Sequence, residues 1–134
     1  MENVSPLPQS GPDHSETRLW NTLVHAISLT GLMTGVGFIL GPLIVWMIQR
    51  ERFPSVDQHG KESINLNLSM LIYQVGLVVG GFVVVVLTCG LGMWVAGVAS
   101  LVLVAAHLVL VIVASAQAWS GGFYRYPFIL RLIK

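Results

Sequence analysis

The residue types in this chain that could hold a metal or move a proton cluster in Val-Asp57-Gln-His59-Gly60-Lys61-Glu62. Two carboxylates and an imidazole suit a divalent cation. Their spacing argues against one: positions 57 and 59 of a helix diverge by about 200°, so the three do not converge from a single helix. A helix start with solvated charges accounts for them instead, with Asp57 and Lys61, and Gln58 and Glu62, at i,i+4 steps worth only tenths of a kcal/mol. A second set stands in apolar surroundings. Asn65, Ser69 and Tyr73 recur at i,i+4 and form a polar stripe that must face protein or water, while Gln74 and His107 lie deeper. If a hairpin turns near Gly90-Leu91, residues 74 and 107 share a depth near the bilayer midplane. They are expected to face each other or a shared water, the imidazole neutral, with His25 able to complete the cluster. The expected role is a structural hydrogen bond rather than a proton relay. No nucleophile with a base at usable spacing occurs, and no phosphate-binding glycine loop, so the chain reads as a non-enzyme without metal or cofactor.

The elements that must position these residues follow from the charge pattern. No Asp, Glu, Lys or Arg occurs between Arg18 and Arg50, or between Glu62 and Arg125. With 54% hydrophobic and 10% charged residues and a mean hydropathy of +0.77, an all-α integral membrane protein is the expectation. A net charge of +1 gives no reason to expect nucleic acid as a partner, and the lone Cys89 forms no internal disulfide. Residues 1–14, rich in Pro, Ser and Asn, read as a disordered tail without a removable signal peptide, and Asp13 and Glu16 have the spacing of a capping box. Residues 15–119 form the helical bundle, and 120–134 an interfacial amphipathic tail.

Within the bundle, the apolar run Leu19–Ile48 is about 45 Å long as one helix, against a hydrocarbon core of about 30 Å. A turn at Gly35-Val-Gly37 divides it into helices over 15–34 and 38–52; the alternative is one long, kinked crossing. Ser55 and Gln58 suggest a second capping box and a helix over 55–88. Cys89-Gly-Leu-Gly92 makes a tight turn, and the last helix covers 93–119. Four crossings result, or three if the first block is undivided. Gly76-x-x-x-Gly80 and the Ala96, Ser100, Ala114, Ala118 series are small-residue faces for helix packing.

Arg50, Arg52 and Lys61, with Arg125, Arg131 and Lys134, fall on one side of the last hairpin. The positive-inside rule makes that side cytoplasmic, so the central loop and the C-terminus face the cytoplasm of an inner, plasma membrane protein. In the tail, Phe123, Tyr124, Tyr126 and Phe128 should sit among the headgroups, with the cations reaching anionic lipid.

Several stretches resemble a known family. His25 to Gly31, Gly37 to Trp46, the run from Arg50 through Pro54, Asp57, His59, Gly60, Lys61 and Glu62 to Asn65, and Tyr124-Arg125-Tyr126-Pro127 with Arg131 are similar to a bacterial membrane-protein family of unknown function. That family is itself similar to the twenty-kilodalton subunit of the chloroplast inner-envelope translocon, the Tic20-like proteins. The resemblance implies a four-helix membrane fold and a link to protein translocation or membrane assembly. The expected function is therefore a non-catalytic interaction or scaffold component, with other membrane proteins or a second copy, and the lipid bilayer, as partners. The alternative is a homo-oligomeric channel or transporter lined by Asn65, Ser69, Gln74 and His107.

Overall fold

The structure, a computed structural model, describes residues 14–134. The elements are α1 (His14–Ala26), a 3-10 turn (Ile27–Thr30), α2 (Gly31–Thr34), α3 (Gly37–Gln49), α4 (Pro54–Leu87) and α5 (Gly92–Trp119). The expected tail, short of His14, and the capping residue Asp13 lie outside the described residues.

The first apolar block reverses direction, so it is a hairpin and not one kinked helix. Gly35 takes a left-handed φ of 71° and closes on the Gly31 carbonyl at 2.9 Å. Gly37 then donates its backbone N–H to the Thr34 hydroxyl at 2.9 Å. A Cβ on Gly37 would lie 2.5 Å from the Thr30 and Thr34 hydroxyl oxygens, so the close return admits only glycine. The ascending arm is not the continuous helix expected over 15–34. Its α-helix gives way at Ile27, where the Thr30 hydroxyl bonds back to the Ile27 carbonyl at 2.7 Å; such back-bonding tightens and bends the local turn. The descending arm stops at Gln49, three residues short of the expected end at Arg52.

The serine cap expected for α4 does not form. Phe53 is extended (φ −126°, ψ 97°) and Pro54 opens the helix, because its fixed φ suits a first helical position and its missing N–H has no intrahelical partner there anyway. Ser55 instead donates to the Asn21 side-chain oxygen on α1 at 3.0 Å. At the other end Cys89 (φ 51°) and Gly90 (φ 98°) turn the chain, and the Gly90 N–H returns to the Val85 carbonyl at 2.8 Å. Two helices, α4 and α5, are long and apolar enough to cross a membrane, and α3 is a shorter apolar helix.

The bundle is uneven along its length. Toward the end carrying residues 50–62, here the near end, α1, α3, the first turns of α4 and the last turns of α5 pack around Val24, Phe53, Val56, Leu66, Val111 and Ala114. Near its tip the first hairpin brings Phe38 edge-on against the His107 ring, and a cavity of about 260 Å³ opens there, lined by Gly31 and Phe38 of the hairpin and by Met70, Gln74, Leu103 and His107 of α4 and α5. Beyond the cavity α4 and α5 continue as a pair to their turn at the far end. Gly81 packs against the Ala96 Cβ there, but a Cβ on Gly76, Gly80 or Gly97 would meet nothing within 4 Å. The Gly76-x-x-x-Gly80 face therefore borders an open groove beside the α4/α5 seam, lined also by Gly92, Val95 and Ala99, and is not packed shut by α5.

Candidate functional site

α4 carries two polar stripes, not one. His59, Ser63 and Asn67 step at i,i+4 along the side that meets α1, and Asn65, Ser69 and Tyr73 step along another side.

On the first side, His25 Nε2 lies 3.0 Å from His59 Nδ1, and the Tyr126 phenol oxygen 3.0 Å from His25 Nδ1. One neutral arrangement satisfies all three groups: the phenol donates to His25 Nδ1, and His25 Nε2–H donates to His59 Nδ1. Further along, Ser63 donates to the Val24 carbonyl at 2.8 Å, and the Asn67 amide donates to the Ser28 hydroxyl at 2.9 Å. The Asn67 oxygen lies 2.8 Å from His107 Nε2. A chain of side-chain hydrogen bonds thus crosses from the 3-10 turn of the first hairpin through α4 to α5. His25, Ser63, Asn67 and Ser69 are all buried, so each partner spares the full desolvation cost of an unpaired polar group.

On the second side the stripe holds an extended strap, residues 123–134, that follows α5. Asn65 Oδ1 accepts the backbone N–H groups of Leu132 (3.0 Å) and Ile133 (2.8 Å), while its amide donates to the Ile133 carbonyl at 2.8 Å. The Ser69 hydroxyl accepts the Leu130 N–H at 2.8 Å, and Tyr73 donates to the Phe128 carbonyl at 2.7 Å. Because these contacts are to backbone, three α4 side chains supply what a neighbouring strand would supply in a sheet. Glu62, on α4 with the near-end charges, receives Arg131 at 3.3 Å and the exposed Arg125 at 4.0 Å. The tail is therefore woven into the bundle rather than lying free along the headgroups. Tyr126, expected in the interface, is 2% exposed, because its ring closes the core over Leu66 and Ala114 while its hydroxyl meets His25. Tyr124 packs edge-on against it, and Pro127 lies in the bend that follows.

The expected pairing of Gln74 with His107 is not formed. Gln74 donates to the Ser100 hydroxyl, and His107 pairs with Asn67. Residues 67 and 74 are one heptad apart on α4, as are 100 and 107 on α5, so the facing sides are those expected and the register differs by about two turns. His25 joins His59 and Tyr126 instead of the deeper pair. Asp57, His59 and Glu62 diverge as their spacing requires: Asp57 accepts Lys61 at 2.6 Å and Trp46 Nε1–H at 2.9 Å, His59 turns to His25, and Glu62 faces the strap. Gly60 lets the Trp46 ring lie against the α4 backbone. Among the described residues no group of three or more His, Cys, Asp or Glu side chains converges on a metal position.

Electrostatics at the near end, outside the apolar spans, follow these contacts. The Lys61 ammonium, foremost, and the Trp46 N–H hold the Asp57 carboxyl below its usual range against the opposing effect of burial. Burial lowers the His25 imidazole to about 3, with His59 adding to the effect, and lowers His59 to about 4. Burial, then the Glu62 carboxylate and Tyr124, raise the Tyr126 phenol well above its ordinary value. Both histidines and the tyrosine are thus neutral near pH 7, as their shared hydrogen bonds require. Sequence reasoning overlooked Ser28, Ser63 and Asn67. The i,i+4 run from His59 through Ser63 to Asn67 was the signal that could have found the last two.

No curated protein and no solved structure matches the chain. A family model does, over residues 16–133, and it describes the magnetosome magnetite crystal formation proteins, MamF and MmsF. That match overturns the resemblance to the Tic20-like proteins, and the link to protein translocation falls with it. Spanning the hairpin, both apolar helices and the strap, it shows that the chain belongs to the MamF/MmsF magnetosome magnetite crystal formation family.

Proposed function

We propose that this chain is a non-catalytic membrane component of magnetite crystal formation, a scaffold that acts through its place in the membrane and its near-end surface. Family membership supports the process. The single observation that carries the non-catalytic reading is that His25, His59, Asn65, Asn67, His107 and Tyr126 are engaged in holding the first hairpin, α4, α5 and the strap together.

In this reading α4 and α5 cross fully, and the first hairpin enters only the near leaflet, so the expected four crossings become two and a re-entrant loop. Leu40, Ile44, Met47 and Ile48 form its lipid-facing edge, and Trp46 with Arg50 stacked on it marks the interface. The near end, with residues 50–62 and the strap, is cytoplasmic by its cations. The opposite face then presents only the uncharged turn at 88–91, so contacts with other membrane proteins, a second copy or anionic headgroups fall to the cytoplasmic side. A pore formed by one copy is disfavoured, because residues 75–87 are all Gly, Val, Leu or Phe and continue no polar path beyond Gln74 and Ser100.

The test is replacement of the native copy in a magnetite-forming cell by Asn67→Leu/His107→Leu, with crystal number and size read by electron microscopy and folding by melting in detergent. Crystals should form wherever the variant protein folds. Loss of crystals with folding intact would show that these polar groups carry chemistry.

A further inference from the structure

From the taper of the bundle we infer that this chain is a membrane wedge, recognising bilayers whose cytoplasmic leaflet is convex. The inference rests on the sidedness and the half-depth hairpin proposed above.

The shape comes from where the hairpin stops. Near its tip Phe38 packs on His107, and the cavity lined by Gly31 and Phe38 reaches along α4 as far as Gln74, about two turns farther on. From Gln74 to the end of α4 the pair continues for about 20 Å at 1.5 Å per residue, roughly two-thirds of a hydrocarbon core of about 30 Å. In the near leaflet the bilayer therefore meets the two arms of the hairpin as well as α4 and α5; in the far leaflet it meets two helices. A helix is about 10 Å across, so the cross-sections of the two halves differ by roughly two helix widths.

The far half is also thin in its own right. Gly76, Gly80 and Gly97 place no side chain on its outer surface, and a Cβ at any of them would enter open space. The near half is broadened by the lipid-facing edge of α3 and stiffened by the strap, whose backbone is tied to α4 by Asn65 and Ser69. A rigid body that takes more room in one leaflet fits best where that leaflet is expanded. With the near end cytoplasmic, that is the outer leaflet of a small vesicle or bud with cytoplasm around it, and the partner is a curved lipid surface.

The experiment adds detergent-solubilised protein to phosphatidylcholine vesicles containing a minority of phosphatidylglycerol, extruded to small and to large diameter, and measures protein density per lipid on each. The charged near end does not cross, so insertion leaves it outside. Severalfold higher density on the small vesicles is expected. Gly76→Leu/Gly80→Leu/Gly97→Leu, which widens the far half into open space, should bring the ratio to parity. Leu40→Lys/Ile44→Lys, which draws the hairpin out of the near leaflet, should do the same by a separate route if the first variant fails to fold. Equal wild-type density on both sizes, or variants that keep the wild-type ratio, would overturn the wedge. Sidedness is read in the same vesicles with an impermeant thiol reagent. Lys134→Cys, in a Cys89→Ser background, should react from outside, and native Cys89 should not. Reversed labelling overturns the sidedness itself, whereas correct labelling with equal densities overturns only the wedge.

Discussion

Tyr126 touches His25 across 101 positions of sequence, and its phenol decides which nitrogen of that buried imidazole carries a proton. Tyr126→Phe leaves His25 Nδ1 buried without its partner, so a loss of about 1–2 kcal/mol is expected, read as a lower melting temperature in detergent. Arg125→Gln, at an exposed side chain, should change it by no more than about 0.5 kcal/mol. The histidine pair also sets a direction with pH. Both imidazoles titrate in the fold below their ordinary value of 6.5, at about 3 and about 4, so the folded state binds fewer protons than the unfolded one. Their contribution is complete above pH 6.5 and is lost progressively as pH falls from 6.5 toward 4 and then 3. Melting followed across that window should show the decline, and His25→Phe/His59→Phe should flatten it. From the sequence, His25 and Gln74 were legible as polar groups needing partners, but the partners were not. A partner contributed by an irregular segment such as the strap leaves no periodic signature, so nothing placed Tyr126 inside the core.

Among the elements, α4 organises the rest by giving one polar side to α1 and another to the strap. Removing the second should release the strap while the helices hold: Asn65→Leu abolishes three hydrogen bonds to Leu132 and Ile133, so trypsin should cut after Arg131 markedly faster than in the parent protein. An unchanged cleavage rate would show that Ser69, Tyr73 and Tyr126 suffice. On the opposite flank, Gly60→Ala drives a methyl into the Trp46 ring and should cost about 1–3 kcal/mol of stability together with the Trp46 bond to Asp57. Indole fluorescence would report the displaced ring. Apart from the break at Ile27, helix limits were legible to within a few residues, because Pro54, Gly35 and Gly90 act through their own backbone preferences. The pairing of α4 with α5 slipped by a heptad because the apolar pattern repeats after about two turns, and one hairpin turn did not fix the offset.

For the molecule as a whole, the described charges gather at one end. The ion pair of Glu16 with Arg52 (3.1 Å) joins α1 to the segment after α3, and Arg18 approaches Gly121 beyond α5, so the start of α1 shares that end. A cysteine at Lys134 in intact cells should therefore resist an impermeant thiol reagent until the cytoplasm is opened. Labelling before lysis would place the near end outside. The membrane class was legible from two long gaps in charge. Whether the first block turns back stayed open, since Leu40 and Ile44 read as apolar in a hairpin and in a single crossing alike.

The strap has a consequence for how the molecule is made. It leaves the ribosome after α1 to α5, yet His25 on α1 and Asn65 and Ser69 on α4 take hydrogen bonds from it. During synthesis those groups wait, exposed to chaperones and proteases, until residues 126–133 emerge and dock. A nascent chain interrupted after α5 already has all its apolar helices and can enter the membrane, but it keeps an unsatisfied polar seam. Docking of the strap is thus the step that satisfies this seam.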